Sequence, residues 1–144
     1  MRIEKVVESL CRECGTRNPY EIASYKNIRV LFESLGTLRG YYNKRYRYRM
    51  IHINNAMSEE SQRFTCAHEL GHAILHPAYN AIYLQTNTLY CMNRYENEAN
   101  YFAADLLISN EDLREYEAFS IPELSSVFCM DEKLIEHRLK SLRK

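Results

Sequence analysis

The sequence predicts an α+β fold: a small sheet flanked by a short helical N-terminus and a longer helical C-terminal part. Three observations carry this expectation. Apolar residues recur at helical spacing at both ends of the chain and twice in between. Three short runs rich in β-formers fall between residues 28 and 53. Pro19, Gly36, Gly40 and Pro77 fall at the joints of these segments.

In order, Ile3, Val6, Val7 and Leu10 predict a first helix over residues 2–12. Asn18-Pro19 reads as an N-cap with proline at the first helical position, starting a short helix to about Tyr25. Residues 28–32 form an apolar strand, and Gly36 and Gly40 punctuate the next turn and strand. Residues 46–53 alternate Tyr46, Tyr48, Met50 and His52 on one face with Arg47, Arg49, Ile51 and Ile53 on the other. The three strands predict a small three-stranded antiparallel sheet. Ser58 then caps a helix running through Phe64, Ala67, Ile74 and Leu75 until Pro77 stops it. Residues 78–93 read as a loop with a strand fragment. From Tyr95 the helical spacing returns through Ala99, Phe102, Ala103, Leu106 and Leu107, and two or three short amphipathic helices fill residues 111–142.

The bulk numbers narrow the class. A chain of 144 residues is expected to form one domain, 1–144. Hydrophobic content of 46% and charged content of 26% are those of a globular protein. The net charge of zero removes any global pull toward nucleic acid or anionic membrane. No run approaches the roughly 18 to 20 apolar residues of a membrane span, and residues 1–10 lack a signal-peptide core. The expected location is the cytoplasm. Five cysteines at irregular spacing argue against a disulfide framework, and the Cys11-x-x-Cys14 pair lacks the second pair that a structural zinc site needs.

The chemistry concentrates in His68-Glu69-Leu70-Gly71-His72, the H-E-x-x-H pattern of zinc-dependent peptidases. Positions i and i+4 of a helix share a face, so both imidazoles can reach one Zn²⁺ ion, while Glu69 projects from a neighbouring azimuth. Two histidines hold zinc poorly, so a third protein ligand is expected. His76 lies another turn along the same helix, and ligands on three consecutive turns, about 5.4 Å apart, cannot converge on one ion. His52 reads as a substrate-facing or buried polar residue. Glu96 and Glu98 remain. On a helical wheel Glu96 lies about 50° and Glu98 about 110° from the centre of the apolar stripe, which aims Glu96 inward and Glu98 toward solvent. Glu96 is preferred and Glu98 stays open. Asn100, one turn beyond Glu96, is expected to orient a ligand.

Several segments together resemble a known family: Asn18 to Ala23, Ile51-His52-Ile53-Asn54, Arg63 to His72 with Leu75-His76, and Glu96 to Ala104 with Leu106-Leu107. These look like the ImmA/IrrE metallopeptidases. The resemblance covers about residues 18–109 and implies a zincin-like minimal peptidase, a sheet packed against a zinc-binding helix pair. It also implies that Glu96 is the third ligand. Ser109 departs from the proline that many relatives carry, which affects a helix end and not the site. Because the chain ends soon after its helical tail, the resemblance implies the short type found on phages and mobile elements. Such proteins cleave or inactivate a helix-turn-helix repressor.

The expected reaction is peptide hydrolysis, with His68, His72 and Glu96 holding Zn²⁺ and Glu69 acting as general base. The strand at 46–53 is expected to lie along the cleft as an edge strand that an extended substrate could join. Two other readings accompany it. One is a regulatory module that binds a repressor without cutting it. The other, weaker, is a nucleic-acid binder using Arg39, Lys44, Arg45, Arg47 and Arg49 interleaved with tyrosines.

Overall fold

The computed structural model describes residues 2–77 and 89–142, with residues 89–92 as backbone alone. The described elements are α1 (Ile3–Cys14), α2 (Pro19–Tyr25), β1 (Ile28–Glu33), β2 (Gly40–Arg45), β3 (Tyr48–Asn54), α3 (Glu59–Leu75), α4 (Leu89–Leu107), α5 (Asn110–Glu115), α6 (Ile121–Phe128) and α7 (Glu132–Leu142). The fold is α+β, as expected.

Local signals set most boundaries. The Asn18 side chain accepts from the Tyr20 N–H, with Pro19 at the first position of α2. The Ser58 hydroxyl accepts from the Ser61 N–H and starts α3. Ser109 and Ser120 form capping boxes with Asp112 and Glu123 and start α5 and α6. The loop expected over 78–93 lies outside the described residues as far as 88. From Leu89 the chain is already helical, so α4 starts before Tyr95.

The sheet departs from expectation. It is mixed, in the order β1-β3-β2, with β1 parallel and β2 antiparallel to β3. The reason is burial. Ile51 and Ile53 are fully buried, which suits β3 to the centre, whereas the polar Gly-Tyr-Tyr-Asn-Lys-Arg run of β2 suits an edge. β2 and β3 form a hairpin and must run antiparallel; β1 runs opposite to β2, so beside β3 it is parallel. The expected strand at 46–53 also starts two residues late. Tyr46, at φ 59°, and Arg47 form the two-residue hairpin turn. Alternating tyrosine and arginine contain no glycine or asparagine to announce that turn.

Two apolar clusters fill the molecule. The larger joins Val7 and Leu10 of α1, Ile22 of α2, Ile51 and Ile53 of β3, Leu70 of α3 and Phe102 and Leu106 of α4. The smaller joins Ala104 and Ile108 to Leu113, Leu124, Leu134 and Ile135. Phe64, Tyr101 and Leu107 touch both. Where α3 crosses α4, a Cβ on Gly71 would lie 3.1 Å from three carbons of Phe102. Glycine there lets the two helices approach. No helix among the described residues is long and apolar enough to cross a membrane.

Candidate active site

α3 and α4 bring His68, Glu69, His72 and Glu96 together, the four residues singled out in the sequence. His68 Nε2 lies 3.0 Å from one carboxylate oxygen of Glu96, and His72 Nε2 lies 2.9 Å from the other. Glu69 is on the cleft side of the same helix, its carboxylate 3.8 Å from His68 Nε2. Donor atoms of His68, Glu69 and His72 all fall within 4.8 Å of one another. The cleft in front has a volume of about 710 Å³ and is lined by residues 37–39 and the first four residues of β2, by Phe64 and Thr65 of α3, and by Glu96 and Asn100 of α4.

The other ring nitrogens are held from behind. Asn100 Oδ1 lies 2.7 Å from His68 Nδ1, the orienting role expected of it. His72 Nδ1 lies 3.1 Å from His76 Nδ1, and His76 Nε2 lies 2.8 Å from Glu98 Oε1. One proton assignment satisfies all three contacts. His68 donates from Nδ1 to Asn100, His72 donates from Nδ1 to His76, and His76 donates from Nε2 to Glu98. That leaves a lone pair on Nε2 of both His68 and His72 facing the Glu96 carboxylate, where a shared cation would sit; without a cation, a proton on Nε2 makes these two contacts instead.

This chain of contacts corrects the helical wheel. The side chain of Glu98 is 16% exposed and that of Glu96 is 45% exposed. Glu98 turns inward because His76 is buried beside it, at the position where the chain leaves α3. His76, which helix rise excludes as a third ligand, is a buried link between His72 and a carboxylate. The only sequence signal for that link is the repeat of histidine at 68, 72 and 76. His52 stands apart from the cleft. It bonds Glu33 of β1 through Nδ1 and Asn43 of β2 through Nε2, and stacks on Tyr41, so it fastens the three strands together. The strand along the cleft is β2, since β3 lies in the middle of the sheet.

Burial governs the electrostatics. It pushes the Glu69 carboxyl up to about 7; His68 opposes this, Glu96 adds to it, and a backbone N–H of Tyr42 opposes it. Burial also lowers the pKa of His72, against a bond to Glu96. Burial disfavours charge on His68 too, but the bond to Glu96 and the nearby carboxylates win and raise its pKa. Two nitrogens and a carboxylate converge with lone pairs inward, which is the donor set of a borderline cation such as zinc. Tetrahedral bonds of about 2.1 Å place ligand atoms roughly 3.4 Å apart, so a few tenths of an ångström of spreading would admit the ion.

An α+β fold with this cluster in an open cleft defines a protein of the metallopeptidase class. Residues 23–140 match the family model of the IrrE N-terminal-like domain, Peptidase M78, and the chain belongs to that family. It is 39% identical over 115 residues to the uncharacterized immunity region protein 2 of Bacillus phage phi105, covering 79% of this chain and 73% of that one. It is 29% identical over 146 residues to the metallopeptidase ImmA of Bacillus subtilis (strain 168), covering 97% and 85%. A solved structure of a Mycobacterium tuberculosis transcriptional regulator superposes with a TM-score of 0.68 at 17% identity. That likeness is one of fold, covering 99% of this chain and about half, 48%, of the other.

Proposed function

We propose that this chain is a zinc-dependent endopeptidase, folded as one zincin-like domain, whose substrate is a helix-turn-helix repressor in the cytoplasm. The observation that carries the reading is the convergence of His68 Nε2, His72 Nε2 and the Glu96 carboxylate beside Glu69 in an open cleft. His68, His72 and Glu96 would hold the metal. When bound, Zn²⁺ supplies a Lewis acid that polarises the scissile carbonyl and makes water more acidic. Asn100 and the His76–Glu98 pair fix both imidazoles with Nε2 unprotonated, the form that ligates. Glu69 takes a proton from the attacking water and passes it to the leaving amine. Among the described residues β2 is an edge strand, and its outer edge offers an extended peptide a strand to pair with. The phage origin of one relative and the metallopeptidase name of another support a substrate of the repressor kind.

Co-expression with candidate helix-turn-helix repressors from the same genome tests the proposal, with repressor length followed on a blot. Native chain is expected to shorten the repressor, and Glu69→Gln to leave it whole while retaining zinc. A repressor inactivated but uncut by both forms would instead support a binding module.

A further inference from the structure

One end of the sheet carries a concentration of charge that the proposed chemistry does not use. Lys44 and Arg45 end β2, Arg47 sits on the hairpin turn, Arg49 is the second residue of β3, and Arg29 lies two strands away on β1. Strand register gathers them: Lys44 faces Arg49, Arg49 faces Ile28, and Arg29 faces Met50. Residues 34–58 contain no acid, and Glu33, at the opposite end of β1, is bonded to His52. Among the described residues none of the five cations makes an ion pair. Tyr46 and Tyr48 stand between them, 86% and 62% exposed.

The strand that lines the cleft leads into the strip. Residues 40–43 of β2 line the cleft beside His68 and Glu69, and the next two residues of that strand are Lys44 and Arg45. A backbone N–H of Tyr42 faces Glu69. At about 3.3 Å per residue, Lys44 lies roughly 7 Å and Arg45 roughly 10 Å farther along the edge. A peptide paired with β2, its scissile bond near Glu69, passes these cations two to five residues away. The far end of the cleft also holds Arg39, but Asp131 lines the groove beside it.

We propose that this strip is a specificity site selecting peptide substrates that carry acidic residues two to five positions from the scissile bond, on the side running toward the hairpin tip. The inference rests on reading the cleft as a peptidase site. A peptide is favoured over nucleic acid because the cations lie along the same edge strand, β2, that lines the cleft, and because a net charge of zero provides no long-range field to steer a polyanion.

The test uses the full chain carrying Glu69→Gln and three fluorescein-labelled peptides with one shared apolar centre. One has a Glu tract before the centre, one has it after, and one has Ser in both places. Anisotropy is expected to show one Glu peptide binding about tenfold tighter than the Ser peptide at 0.05 M salt, with the gain shrinking at 0.5 M. Adding Arg45→Glu with Arg47→Glu should remove the gain and leave Ser-peptide binding unchanged. Equal binding of all three peptides, equal gain for both Glu tracts, or a gain that survives charge reversal overturns the inference. So does tighter binding of an oligothymidylate of the same length, lost on charge reversal, which would mark a nucleic-acid surface. Cleavage by the zinc-loaded native chain separates the two readings. Acidic preference without cleavage sinks the peptidase and keeps the strip; cleavage without acidic preference does the reverse.

Discussion

Glu69 is the residue on which most depends, and its burial has a cost measurable without substrate. Its folded-state pKa of about 7 lies above the ordinary carboxyl value, so folding is favoured by the protonated form. The stability is fully present below the unfolded value and is lost as pH rises through about 7. Glu69→Gln keeps the shape without the charge. It should stabilise the metal-free chain at pH 8 by on the order of 3 kcal/mol, an advantage that fades toward pH 4.5. Urea melts of both forms across that range would show it, and a pH-independent difference would refute the assignment. Glu98 acts at the far end of the His72–His76 contact. Glu98→Gln should weaken zinc affinity about tenfold in a chelator competition, because His76 loses the carboxylate that fixes its ring. Unchanged affinity would mean that His72 is positioned without it. The shared face of His68 and His72 was legible as letters, because the H-E-x-x-H spacing guarantees it whatever the surroundings. The inward turn of Glu98 was not, since a helical wheel knows one helix and the buried partner lies on another.

At the scale of elements, the α3–α4 crossing fixes where Glu96 stands against His68 and His72. Gly71 lies within the H-E-x-x-H run, and its missing side chain is what lets Phe102 pack against α3. Gly71→Ala should therefore destabilise the chain by about 1–3 kcal/mol in denaturant melts, although alanine is the better helix former. It should also weaken zinc binding, because α4 carries Glu96. A stabilised variant would show that the contact is slack. Helix ends were readable in advance, since caps are local: Asn18-Pro19 and Ser58 each start a helix where the letters place it. Strand order was not. Periodicity reports which face of a strand is buried, but carries no information on which neighbour it pairs with, and the β2–β3 turn uses Tyr46 and Arg47 where glycine or asparagine would have signalled it.

Across the whole molecule, the C-terminal helices are tied to the site-bearing helix through the end of α4. Helix C-termini leave carbonyls without partners, and two arginines from opposite ends of the chain supply them here. Arg17 donates to the carbonyls of Asp105 and Leu106, and Arg138 of α7 donates to the carbonyl of Ile108 and the side chain of Asn110. Arg138 is 6% exposed. Arg138→Met should cost about 2–4 kcal/mol by leaving those acceptors and the buried Asp105 without it. Thermal melts followed together with zinc release would show whether the loss reaches the site. By itself the sequence determined what is local or periodic: the helices and their caps, the α+β class, the i, i+4 histidines and the family. The tertiary structure alone decided the parallel pairing of β1 with β3, the placing of β2 along the cleft, and the burial of His76 against Glu98. Each of these joins residues far apart in the chain, and their choice rests on which surfaces exclude water together, a quantity no short window of sequence contains.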